Sequence, residues 1–257
     1  MIGGILPLIG PKWLPELVMA TLVFDIETSA LPVDSLDEDQ QAYLFRELDS
    51  MDDPVEREKR HSRLCDMMAL WPLTSQCVCI AMVNADSRKG QVLYLADDFE
   101  GDSDPEAEVA FIPFPDEHEL LTEFWRVVPS FNRIVTFNGR GFDVPFLYLR
   151  SAILNIPISR KDWLGYRFQT SPHCDLAEQL CFYNVSGREG AARRFNLDFY
   201  CKSFGIESPK SQGVTGMDVT ALMEQGRYRD IAEYCLRDVH ATRELFAIWS
   251  DRLEGIK

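Results

Sequence analysis

TLVFDIET, residues 21–28, decides how this chain is read. It is an apolar, β-branched run too short for a helix and bounded by polar residues, the pattern of a buried strand. Two acids interrupt it, Asp25 and Glu27. Period-2 alternation puts them on the same face, and a carboxylate inside an apolar strand is costly unless it is paired or binds a metal. No Lys or Arg lies within the run to pair with them. The triplet alone is weak evidence, because Asp98/Glu100 and Asp104/Glu106 repeat it in an acidic loop, where solvated charge explains it.

Working outward, QCVCIAMVN (76–84) and QVLYLA (91–96) read as two strands joined by a turn at 87–90, and RIVTFN (133–138) as a further strand ended by Gly139 and Gly141. Residues 34–70 are charged and helix-compatible with a break at Pro54, an acidic helical insertion after the first strand. An acidic, proline-containing loop follows residue 96. Asp116 opens a helix whose apolar positions are 120, 121, 124, 127 and 128. Further helices are expected at about 144–154, at 197–204 with Gly205 as the stop, before Gly226, and at about 229–252. Strands followed by strand–helix alternation indicate an α/β fold with a mixed sheet.

Composition bounds the function. With 257 residues, 46% hydrophobic and 26% charged, the chain can bury a full core. No stretch approaches the roughly 18 uninterrupted apolar residues of a membrane span. Seven cysteines without regular spacing indicate reduced thiols and a cytoplasmic location, with no structural zinc. The apolar start MIGGILPLIG has no preceding basic residue and is broken by prolines, so it is not read as a signal peptide. Residues 1–20 are expected to be an N-terminal extension, with Met19 as a possible second start, and 21–257 a single domain. The net charge of −15 is unusual for a nucleic-acid enzyme. Much of it sits in segments 34–58 and 97–119, and it favours short or single-stranded ends over long duplexes.

Two more acidic sites lie far along the chain. Asp143, in FNGRGFD, follows a strand end, where open α/β sheets carry their sites. A helix N-cap is its alternative reading. Tyr234 and Asp238, in YCLRD, are four apart on a helix and so share a face. The pair Tyr94/Asp98 has the same spacing but spans a strand end and a loop.

Together these segments resemble the DEDD superfamily of 3′–5′ exonucleases, which has a ribonuclease H-like fold. Within it they resemble the tyrosine subclass; the histidine subclass would need His where this chain has Glu233. PLTSQCVCIAMV, FNGRGFDVPFL, HCDLAEQL and YCLRDVHATREL are similar to the stand-alone bacterial proteins related to the proofreading domain of family-B DNA polymerases, over roughly 21–250. The resemblance implies a mixed five-stranded sheet flanked by helices. It also implies two Mg²⁺ or Mn²⁺ ions held by Asp25, Glu27, Asp143 and Asp238, with Tyr234 orienting the attacking water. Two like charges about 4 Å apart repel by roughly 4 kcal/mol at an effective dielectric near 20, so such a cluster calls for cations or bound protons. Thr28 and Asn138 are expected to help hold the 3′-terminal nucleotide. Phe142 is expected to pack against a base or in the core, and Lys210 to contact a phosphate or stand in solvent. Arg140 is read with the same two alternatives, Asp175 as a helix cap, and His173 and His240 as structural or surface residues.

The expected activity is removal of nucleoside monophosphates from 3′ ends, single-stranded DNA favoured. Two alternatives remain open: an exonuclease trimming RNA 3′ ends, and a non-catalytic nucleic-acid- or protein-binding module on the same fold.

Overall fold

The computed structural model describes residues 20–97, 108–184, 190–208 and 216–256. Among them, six strands and eight α-helices run in the order β1 (Thr21–Ala30), α1 (Glu38–Phe45), α2 (Pro54–Met68), β2 (Ser75–Asn84), β3 (Gly90–Leu95), β4 (Val109–Phe114), α3 (Glu117–Val127), β5 (Arg133–Thr136), α4 (Asp143–Ile153), β6 (His173–Asp175), α5 (Leu176–Leu180), α6 (Leu197–Phe204), α7 (Val219–Glu224) and α8 (Tyr228–Arg252). No helix among the described residues is long and apolar enough to cross a membrane. The N-terminal extension, Ala20 apart, and the acidic residues 98–107 lie outside the described residues.

The sheet is ordered β4-β3-β2-β1-β5-β6. β1, β2 and β3 pair antiparallel, whereas β4 joins β3, and β5 and β6 join β1, in parallel. This is the expected mixed α/β sheet, with six strands rather than five. β4 (VAFIPF) falls where the sequence suggests an acidic, proline-containing loop. Proline is tolerated on an edge strand because the outer side needs no ladder donor, and Pro113 stands opposite Tyr94 on that edge. β6 is only three residues long, too short for periodicity to reveal, and exists through its pairing with β5.

β1 sits in mid-sheet and sends its two faces to different partners. Phe24 packs on Phe124 of α3 and on Trp163, with ring centroids 5.5 and 5.8 Å apart. All five apolar positions expected to anchor α3 are buried, because its 3.6-residue period aligns them. The other face carries Asp25 and Glu27 toward α8, whose buried stripe runs from Ile231 through Cys235 and Val239 to Trp249. A register shift between Glu27 and Thr28 makes Val78 the extra residue of β2. Bulges of this kind re-aim side chains beside functional sites.

One buried ion pair ties the elements together. Arg150 of α4 donates to both oxygens of Glu117 at the start of α3, at 2.9 and 2.6 Å, and Glu117 also accepts from Cys77 N of β2 at 2.8 Å. Pairing cancels much of the cost of burying the two charges, but removing one partner leaves the other uncompensated. Arg150→Met should therefore destabilise the fold by about 3–5 kcal/mol, measured by urea denaturation; a loss below about 1 kcal/mol would show that the pair does not lock α3, α4 and β2.

Candidate active site

Three segments bring the acids together. Asp25 and Glu27 come from the middle of β1. Asp143 comes from the first turn of α4, and Tyr234 and Asp238 from neighbouring turns of α8. Asp25, Tyr234 and Asp238 line one cleft of about 530 Å³ with Asn138, and Glu27 and Tyr234 line the adjoining one with Thr28 and Phe142.

Asp143 is placed by the turn that precedes it. Asn138 takes a left-handed backbone (φ 72°), and Gly139 packs so tightly that a Cβ there would sit 2.3 Å from Thr136 Oγ1. Asp175 holds this turn: its carboxylate accepts from Asn138 N and Arg140 N, both at 2.9 Å, while capping α5 through Ala177 N at 3.0 Å. The cap was legible in the sequence; the grip on the turn was not, since it joins residues more than 30 positions apart. Beneath it, the buried His173 ring bridges Thr136 Oγ1 and Trp163 O at 2.8 and 3.2 Å. Burial lowers its pKa to about 3 and keeps it neutral.

Asp143 is the first residue of α4, not its cap, and its side chain turns to the strand instead, accepting from Ile26 N at 3.2 Å. It also hydrogen-bonds Asp25. Two carboxyl groups can share a hydrogen bond only if one carries a proton. Burial and the charges of Asp143, Asp238 and Glu27 push the Asp25 pKa well above the carboxylate range. Burial, then Asp238 and Asp143, do the same to Glu27. Burial, partly offset by backbone hydrogen bonds, raises Asp143 to about 7. Among the described residues no ion pair joins Asp25, Glu27 or Asp143 to Lys or Arg, though such pairs abound elsewhere on the chain. A carboxylate cluster desolvated by burial and short of nearby cations is an all-oxygen donor set suited to Mg²⁺ or Mn²⁺.

Burial and the adjacent acids also drive the Tyr234 phenol far above its ordinary pKa, and it hydrogen-bonds Asp238 as a neutral donor. Cys235, between them on α8, brings its thiol within 4.8 Å of the Asp25 and Glu27 oxygens. That thiol donates to Asp25 O at 3.5 Å, and burial holds it protonated. It pins α8 to β1, a role its sequence position does not reveal.

The remaining expected contacts differ in availability. The Thr28 hydroxyl is committed to Ala69 O at 2.6 Å, tying β1 to the end of α2. The Asn138 side chain faces the cleft and accepts from Arg194, a residue the sequence reading did not single out. Phe142 packs on Phe146 (5.6 Å) while lining the adjoining cleft. Arg140 is nearly buried, 3.7 Å from Glu178. Lys210 lies outside the described residues.

The raised carboxyl pKa values make stability depend on pH with a fixed sign. An unfolded aspartate titrates near about 3.9, whereas folded, metal-free Asp143 titrates at about 7. The folded chain then holds more protons than the unfolded chain between these values, so stability falls as pH rises through this window. Chelator-treated protein should melt higher at pH 5 than at pH 8; Asp143→Asn should flatten the difference, and millimolar Mg²⁺ should raise the pH 8 value. A metal-free melting temperature that climbs from pH 5 to pH 8 would show that the acids do not share a buried site.

Residues 70–250 match the family described as a predicted 3′–5′ exonuclease related to the exonuclease domain of PolB. That span includes Asp143, Tyr234 and Asp238; Asp25 and Glu27 precede it. DNA polymerase 1 of Saccharolobus solfataricus is 26% identical over 183 residues, 68% of this chain and 20% of the polymerase. DNA polymerase 1 of Sulfolobus acidocaldarius is 26% identical over 179 residues, 65% of this chain and 19% of the polymerase. The chain thus spans about a fifth of the length of these relatives. The family B DNA polymerase of Pyrobaculum calidifontis shares the fold, with a TM-score of 0.54 and 19% identity over 90% of this chain and 24% of the polymerase. The match over most of the chain, together with the clustered acids, places this protein in the family of predicted 3′–5′ exonucleases related to the exonuclease domain of PolB.

Proposed function

We propose that this protein is a two-metal-ion 3′–5′ exonuclease that favours single-stranded DNA and releases nucleoside 5′-monophosphates. The observation that carries this reading is the meeting of Asp25, Glu27, Asp143 and Asp238 around one site with Tyr234. The acids come from positions up to 213 residues apart, and Asp143, Asp238 and Glu27 each disfavour the ionisation of Asp25. A structural ion pair needs one cation of the chain; among the described residues Asp25, Glu27 and Asp143 have no such pair, which supports cations from outside. When bound, two Mg²⁺ or Mn²⁺ ions would acidify a water and offset charge on the attacking and leaving oxygens.

The chain's own residues supply the rest. The four carboxylates would hold the ions from rigid elements: a central strand, a helix start held by Ile26 N, and a long helix. Tyr234 keeps its proton at neutral pH, so it is no general base. Its hydroxyl donates to Asp238, leaving an oxygen lone pair to accept from the attacking water and orient it. Water adds to the terminal phosphodiester, the bond to the 3′ oxygen of the preceding nucleotide breaks, and that oxygen takes up a proton. Asn138, on the turn that Asp175 holds, faces the same cleft as Asp25, which supports its binding the terminal nucleotide. The net charge of −15 disfavours long duplexes and supports short or single-stranded ends as substrate.

The test is digestion of 5′-labelled single-stranded DNA, with matched RNA as a second arm, with and without chelator. Metal-dependent shortening from the 3′ end is expected, faster on DNA; preferential loss of RNA would transfer the activity to RNA trimming. Asp25→Ala and Asp238→Ala should each abolish shortening while leaving the circular dichroism spectrum unchanged. Tyr234→Phe should slow turnover less, about 10²–10⁴-fold at most if water orientation is comparable to other positioned proton-handling groups. Wild-type rates in either Asp variant would remove the proposed site.

A further inference from the structure

The cleft that holds Asp25, Tyr234 and Asp238 is also lined by the segment entering α6, including Arg194 and Phe195. Helix capping explains part of this segment. Asn196 caps α6 by accepting from Phe199 N at 3.0 Å, and Phe195 packs edge-on against Tyr200 at 6.1 Å, the hydrophobic staple of a helix start. Phe199 is needed for neither contact through its side chain. It is 52% exposed, yet its ring stacks on Phe195 with centroids 4.3 Å apart and planes 15° from parallel. The exposed Arg193 guanidinium lies 4.8 Å from the Phe195 ring centroid.

The charge around this segment is opposite to that of the whole chain. Glu178 receives Arg167 at 2.7 Å and Arg140 at 3.7 Å, and the Arg194 charge acts on it as well. Three guanidinium groups against two carboxylates, Glu178 and Asp175, leave a local positive excess on a chain of net charge −15. Arg194 is exposed and donates to Asn138 Oδ1, so it links this basic lip to the turn that leads into Asp143. A half-exposed ring stacked on a ring that lines a cleft of part-buried acids, with arginines beside it, is a pattern that binds unpaired nucleotides: rings take the bases and guanidinium groups the phosphates.

We propose that Arg194, Phe195 and Phe199 form a stacking-and-phosphate platform for the single-stranded nucleotides that precede the scissile bond. This rests on the exonuclease reading and assigns its grip on substrate to residues outside the acidic motifs. Base–ring stacking ignores base identity, so the platform is sequence-tolerant. Confining the positive charge to one lip lets an otherwise acidic protein hold a single strand while repelling long duplexes.

The test measures binding of a 5′-fluorescein oligothymidylate to the full chain by anisotropy, with Ca²⁺ replacing Mg²⁺, alongside hydrolysis in Mg²⁺. Phe199→Ala should weaken binding about 5- to 150-fold; on cleavage the loss should appear in KM more than in kcat. Phe199→Trp should restore affinity, which separates loss of stacking from a folding defect. Arg194→Ala should reduce the slope of log affinity against log salt by about 0.7, one phosphate on a single strand. Lys59→Ala, at an exposed position paired with Glu56 and lining neither cleft, should bind as wild type does. Wild-type affinity in both Phe199→Ala and Arg194→Ala would overturn the platform. A wild-type chain that cleaves neither oligomer nor the p-nitrophenyl ester of thymidine 5′-monophosphate would overturn the nuclease reading instead, and the anisotropy arm would still decide whether the platform binds.

Discussion

Mutual repulsion among buried carboxylates is the constraint around which the rest of this protein is arranged. Left to itself, such a cluster would relax toward solvent or draw in an arginine. Among the described residues, Asp25, Glu27 and Asp143 have drawn in no Lys or Arg. The sheet holds Asp25 and Glu27 in its middle strand, Ile26 N holds Asp143, and a 25-residue helix holds Tyr234 and Asp238 against them. The cost of keeping the charges close is met elsewhere, by aromatic packing of Phe24, Phe124 and Trp163 on the opposite face and by the Glu117–Arg150 pair. Stability built on one side of the sheet sustains electrostatic strain on the other, as is usual where function requires unfavourable local charge.

The distribution of charge explains how an acidic protein can act on a polyanion. Negative charge on the insertion formed by α1, α2 and the turn between them is partly paired there, as in Glu47–Arg60 and Glu56–Lys59. Arginines gather instead beside the cleft, around Glu178 and at the entry to α6. Total charge is thus a poor guide to what the cleft attracts, because exposed charges separated by more than about 8–10 Å are largely screened at physiological salt. Between lip and acids stands the 137–142 turn, held by Asp175 from below and joined to Arg194 from above. One turn therefore couples the position of Asp143, a proposed metal ligand, to the surface proposed to carry the strand.

Much of the fold was legible in the sequence because its signals are local. α3, α6 and α8 lie within two residues of where periodicity and caps put them, and Gly205 ends α6 in the left-handed conformation that favours glycine. β4 and β6 were not legible. Pro113 argues against a strand until its edge position is known, and a three-residue strand has no period to detect. The role of Asp143 was half legible: its place after a strand pointed to a site, but the capping alternative could be set aside only once its side chain was seen to reach Ile26 N.

The sequence by itself determined which residues could do the chemistry, because acid-in-strand, strand-end and i,i+4 spacings follow from the backbone geometry of single elements. It determined the mixed α/β architecture for the same reason. Only the tertiary structure decided that Asp175 holds the turn before Asp143, that Cys235 pins α8 to β1, and that Arg194 and Phe195, on which Phe199 stacks, line the cleft of the acids. Those relations join residues tens to hundreds of positions apart, and no local pattern encodes a contact whose two halves lie on different elements.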